Sequence, residues 1–152
     1  MENTATSVVT RYFEEVWNQG RLDMLDELLT EDYLNHSPSI PNPRPGPADL
    51  KPIIRAMREA ITDLHYEILD MLATREKVAV FVRLTGRHTG PLFGIAPTGR
   101  AIDVRQMQIE WLRDGRIWQH WRVTDERTLL QQLGVADPPA PPEQHNPSTQ
   151  RG

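Results

Sequence analysis

Residues 101–124 read AIDVRQMQIEWLRDGRIWQHWRVT, and the alternation within this stretch decides the fold. The even positions are Val104, Gln106, Gln108, Glu110, then Trp118, His120, Arg122 and Thr124. The odd positions are Met107, Ile109, Trp111, then Ile117, Trp121 and Val123. Successive side chains of a strand point to opposite faces, so two strands here share one apolar face and one rich in hydrogen-bonding groups. Arg113-Asp114-Gly115 suits a three-residue hairpin loop, with Gly115 in the left-handed conformation. That loop predicts Glu110 opposite Trp118, Gln108 opposite His120 and Gln106 opposite Arg122. A two-residue turn would shift the pairing by one and scatter the polar groups over both faces. A polar face of this kind either meets water or lines a cavity.

The flanking chain supplies the rest of the architecture. Val8, Val9, Tyr12, Phe13, Val16 and Trp17 recur with helical period and stop at Asn18-Gln19-Gly20. Leu22, Leu25, Leu28 and Leu29 predict a shorter second helix. Five prolines between Pro38 and Pro47 impose an extended loop that can serve as a lid. A third helix carries Leu50, Ile53, Ile54, Met57 and Ile61, with Pro52 in its first turn, where no backbone donor is needed. Strand character takes over from Leu64: residues 65–69, then the β-branched run KVAVFVRLT at 77–85. Asp125 predicts a helix cap before Leu129, Leu130 and Leu133, and Gly134 ends that helix. Helices first and an antiparallel sheet afterwards is the order of an α+β domain. The domain spans residues 1–134, and residues 135–152 form a proline-rich tail expected to be disordered.

Composition narrows the chemistry. Of 152 residues, 21 are acidic and 17 basic, giving a net charge of -4 without a basic run, so no nucleic-acid partner is expected. With no cysteine, disulfides, thiolate catalysis and thiolate-bound metals are excluded. The five histidines lack metal-ligand spacing, and no glycine-rich phosphate loop follows a strand, so neither metal nor cofactor is expected. No long apolar run predicts a membrane span, and the expectation is a cytoplasmic protein.

The order of elements, GRHTGPLFGIAPTG at 86–99, and DGRIWQHW running on to DERTLLQQLG together resemble the SnoaL-like polyketide cyclases over roughly residues 4–134. The resemblance implies a nuclear transport factor 2-like fold: N-terminal helices packed on a curved antiparallel sheet, an α+β barrel with a cone-shaped pocket. It also implies a homodimer or larger assembly, with the apolar odd face as the interface, and turns the even face toward the pocket. In the aldol cyclases of this family a Gln and a His lie two residues apart on the first hairpin strand, and an Asp lies on the second. Gln106 keeps the Gln; Gln108 stands at the His position and Arg122 at the Asp position.

That exchange bears on mechanism. Neither an amide nor a guanidinium takes a proton near neutral pH, so the family's acid–base pair is absent. His120 is the remaining base, Glu110 the group that orients it or acts as an acid, and Arg122 the cation that holds an enolate or phenolate. Gln106, Gln108, Trp118, His88, His36 and Tyr33 are the expected substrate-binding residues, Trp118 as a flat wall for an aromatic ligand. The expected function is cofactor-free tailoring of an aromatic, anthracycline-like polyketide, with hydroxylation favoured over aldol ring closure. A cyclase with a rearranged site, a small-molecule-binding or assembly module, and a carboxylate-based isomerase are the alternatives.

Overall fold

The computed structural model describes residues 4–38 and 43–135. Helix α1 (Ala5–Arg11), capped by the Thr4 hydroxyl, runs on into a π-helical segment, Tyr12–Asn18. A 3-10 turn (Leu22–Met24) leads into α2 (Leu25–Leu28) and β1 (Leu29–Asn35). Then come α3 (Leu50–Ala60), β2 (Ile61–Ala73), β3 (Lys77–His88), β4 (Ala101–Arg113), β5 (Arg116–Thr124) and α4 (Glu126–Gln132). The helices cover one face of a sheet ordered β1-β5-β4-β3-β2. This is an α+β fold, and none of its helices among the described residues is long and apolar enough to cross a membrane. The proline-rich tail expected at 135–152 lies, beyond Val135, outside the described residues, as does 39–42 of the proline loop.

Two expectations about the sheet are corrected. It is mixed, because β1 pairs with β5 in parallel, and it is open, with β1 and β2 as unpaired edges, so it is not a barrel. Leu29, Thr30 and Tyr33 are buried in β1, and the chain there supplies partners for the β5 backbone that would otherwise be an open edge. Helical spacing of the leucines hides this strand, since only four residues of that run are α-helical. Helix α3 also stops one residue early: Ile61 opens β2 opposite His88.

The hairpin differs in its turn and agrees in its outcome. Asp114 (φ 51°) and Gly115 (φ 76°) both lie in the left-handed region, making a two-residue turn between the paired Arg113 and Arg116. Leu112 pairs with Ile117 but Trp111 pairs with Gln119, so Trp118 is an extra residue bulged out of β5. The bulge restores the parity that the short turn destroys. Glu110 now faces His120, Gln108 faces Arg122 and Gln106 faces Thr124, two residues along from the expected pairs.

Along β4 the even residues from Ile102 to Leu112 are all buried, while Met107 (47% exposed) and Ile109 (43%) face out. Beneath the inner face, Phe13, Val16, Leu25, Ile54, Val80 and Val82 form the core with the helices.

Candidate active site

A cavity of about 330 Å³ opens between the helices and the inner face of the sheet. That is within the size range of small-molecule sites, ~300–1,000 Å³. Its walls are mostly apolar, from Ile53 and Met57 on α3 to Leu129 and Leu130 on α4. Hydrogen-bonding groups reach it from the sheet: Gln106 of β4, and His120, Arg122 and Thr124 of β5. Tyr12, Tyr66 and Asn35 also border it.

His120 is the centre of this arrangement. It is 2% exposed, and its Nδ1 lies 2.7 Å from Oε1 of Glu110, itself 1% exposed. The register puts the two directly across the hairpin. Burial pushes the Glu110 carboxyl up, against the opposing pull of His120 and, to a smaller degree, Arg122. An unpaired carboxylate here would be costly, and the imidazole is what makes it tolerable. With Nδ1 engaged by Glu110, Nε2 is the ring nitrogen left for a ligand.

Arg122 is anchored from the end of β1. Its backbone N–H donates to the Ser37 hydroxyl (2.9 Å) and its guanidinium to the Ser37 carbonyl (3.0 Å). It borders the cavity beside His120, and its charge acts on Glu110, Tyr12 and Tyr66. Gln106 is fixed by two donors to its Oε1: the Gln108 amide at 2.8 Å and the Tyr66 hydroxyl at 3.4 Å. Its oxygen so occupied, Gln106 borders the cavity with its amide N–H groups left to donate.

Tyr66 is held in turn by Asn18, whose side chain both donates to the Tyr66 carbonyl (2.9 Å) and accepts its N–H (2.7 Å). Arg58 of α3 donates to the Trp17 and Asn18 carbonyls at the end of the π-helical segment. Burial raises both cavity phenols, Tyr66 to about 12 and Tyr12 further, so both stay protonated near neutrality.

The structure therefore gathers His120, Glu110, Arg122, Gln106 and Gln108, with Glu110 and Gln108 behind the residues that touch the cavity. Four other expected residues lie elsewhere. Trp118, bulged from β5, packs on the outer face against Trp111 (5.9 Å between centroids) with Arg113 4.7 Å above it. His36 stacks on Trp121 at 4.4 Å and bonds Gln119 at 2.8 Å, also away from the cavity. His88 is fully buried, and its Nδ1 meets the Thr98 hydroxyl at 2.9 Å, tying down the base of the 89–99 loop. Tyr33 is buried beside a separate hollow of about 40 Å³.

Tyr12, Tyr66 and Asn35 border the cavity without having been expected there, and Thr124 does so as a member of the even face. A phenol in a buried stripe needs a polar partner, and that was the signal that Tyr12 and Tyr66 carried.

Known proteins share this arrangement of chain. The sequence is 30% identical over 121 residues to the nogalonic acid methyl ester cyclase of Streptomyces nogalater, covering 78% of this chain and 89% of the relative. It is 28% identical over 155 residues to the aklanonic acid methyl ester cyclase DauD of Streptomyces sp. strain C5, covering 93% and 94%. The structure of TsrD from Streptomyces laurentii superimposes with a TM-score of 0.78 at 26% identity, covering 86% of this chain and 95% of TsrD. Residues 7–133 match the model of the SnoaL-like polyketide cyclases, and the chain belongs to that family.

Proposed function

We propose that this protein is a cofactor-independent tailoring enzyme that draws a proton from an aromatic polyketide keto ester and closes a ring through the enolate. The observation that carries this reading is the buried His120–Glu110 contact at 2.7 Å on the cavity's polar base. Glu110 accepts the Nδ1 proton and holds the ring, so the Nε2 lone pair takes the acidic C–H proton. The enolate oxygen meets Arg122, where a charge-assisted hydrogen bond in a partly dry site is strong. The enolate carbon attacks a carbonyl carbon in the same molecule, and the imidazolium returns its proton to the new alkoxide. Atoms and charge balance, and the product is an isomer of the substrate. His120 thus takes on, from β5, the acid–base work that Gln108 and Arg122 cannot do. The names of relatives at 28–30% identity, all methyl ester cyclases, support closure as the fate of the enolate.

Hydroxylation is the second reading, favoured by Gln108 and Arg122 standing where aldol cyclases carry His and Asp. Incubation with aklanonic and nogalonic acid methyl esters, in air and without oxygen, separates the two by mass. Closure gives a product of unchanged mass in both atmospheres. A product that gains oxygen only in air establishes hydroxylation instead. A shift in melting temperature without turnover would leave a binding module and sink both.

A second copy of the chain is the partner proposed for the outer face. Met107, Ile109 and Val123 are exposed there beside Trp111, Trp118 and Trp121, a contiguous apolar surface of the kind that marks an interface.

A further inference from the structure

Phe93 breaks two rules of chain construction at once. It occupies the first central position of the two-residue turn Phe93-Gly94, closed by reciprocal backbone bonds between Leu92 and Ile95 of 3.1 and 2.8 Å. Its φ is 51°, and that of Gly94 is 74°. The other non-glycine residues with positive φ among the described residues are Asp63 and Asp114. Aspartate tolerates the left-handed region, whereas a bulky aromatic side chain there is strained.

Burial does not offset that strain, because Phe93 is 60% exposed. Its neighbour Leu92, at 5%, anchors the turn to the core and leaves the Phe93 ring at the rim of the cavity, which both residues border. An exposed ring held in a costly conformation at a pocket mouth is a binding contact awaiting its partner.

We propose that Phe93 is a substrate-binding residue whose ring stacks on the flat aromatic system of the ligand while the ligand's acidic end reaches Arg122 and His120. This rests on the reading of the cavity given under Proposed function and adds a residue that selects flat, fused-ring substrates. The apolar wall formed by Leu92, Met57, Leu129 and Leu130 suits the same occupant, since only the base of the cavity offers strong donors. The ring then loses its water-exposed area on binding, and the strain of the turn places it before the ligand arrives.

Calorimetric titration of the full chain with alizarin, a flat fused-ring phenol, tests this with the variants Phe93→Asn, Phe93→Trp and Arg122→Gln. Phe93→Asn is expected to weaken binding by roughly three- to tenfold. Its melting temperature should be unchanged or higher, because asparagine accepts a positive φ. Phe93→Trp keeps the affinity. If Phe93→Asn binds as the wild type does while Arg122→Gln binds more weakly, the Phe93 proposal falls and the cavity reading stands. A melting temperature lowered by several degrees in Phe93→Asn makes the residue structural and also overturns the proposal. If alizarin does not bind the wild type, or binds Arg122→Gln equally well, the cavity reading itself fails.

Discussion

The two faces of the β4–β5 hairpin are written by one alternating chain and meet opposite environments. Inward, Gln106, Gln108, Glu110 and His120 are polar yet at most 6% exposed. Outward, Ile109 and Val123 are apolar yet 43% and 74% exposed. Each face inverts what a folding domain would choose from solvation alone. Stability therefore does not explain the inner set: a buried carboxylate and imidazole contribute less than the aliphatic residues that could fill their place. The inversion is what the proposed ligand on the inner face and the proposed partner chain on the outer face would account for.

Inserting one alanine between Trp118 and Gln119 strikes this comparison hardest. With Trp118 still the single bulged residue, the insertion would set Glu110 against Gln119 and send His120 to the outer face. The expected loss exceeds about 4 kcal/mol of folding free energy, or soluble protein altogether, as read by urea unfolding. An insertion variant with wild-type stability would show that the inner face does not depend on this register.

Arg122→Gln probes the inner face alone. It is expected to lower kcat/KM for the keto ester on the order of 100-fold, by removing the charge that holds the enolate, with the fold retained by circular dichroism. Turnover within twofold of wild type (roughly, by kinetic assay) would remove Arg122 from the site.

Glu110→Gln is expected to cost kcat roughly tenfold or more, because an amide stabilises the imidazolium less than a carboxylate does. It also carries a pH signature. Burial raises the Glu110 carboxyl, so the native state binds that proton more tightly than the unfolded chain does. Stability contributed by this group is therefore complete below the ordinary carboxylate range and declines as pH rises through its folded value. Denaturant unfolding from about pH 4 to about pH 8 should show a flatter decline in Glu110→Gln than in wild type. Parallel profiles would mean that Glu110 does not titrate as described.

The smallest effect belongs to the outer face. Val123→Lys should change folding free energy by less than ~0.5 kcal/mol while lowering the mass observed in sedimentation. A monomeric wild type would break the proposed partnership of that face.

How much of this the sequence carried follows from which interactions are local. Alternation from Val104 to Trp111 showed the two faces, because period-two burial is written residue by residue. The caps at Asp125 and Gly134, and Pro52 in the first turn of α3, were legible for the same reason. The bulge at Trp118 was not, since it arises from fitting one strand to its neighbour and has no signature of its own in IWQHW.

Strand β1 escaped because its partner is β5, more than 80 residues away, and tertiary pairing overrode the helical spacing of its leucines. In the site, His120, Arg122, Glu110, Gln106 and Gln108 share one hairpin and could be read together. Tyr12 and Tyr66 come from α1's continuation and β2, and only the folded chain brings their hydroxyls beside them.

Proton abstraction by His120 is the claim on which the rest depends, and hydrogen–deuterium exchange tests it without reference to what the enolate does next. An aromatic β-keto ester is incubated in heavy water with the enzyme, and loss of its α-proton signal is followed by NMR. Wild type should accelerate the exchange, and His120→Ala should lose at least about 100-fold of that acceleration while remaining folded. Exchange at the wild-type rate in His120→Ala would contradict the account.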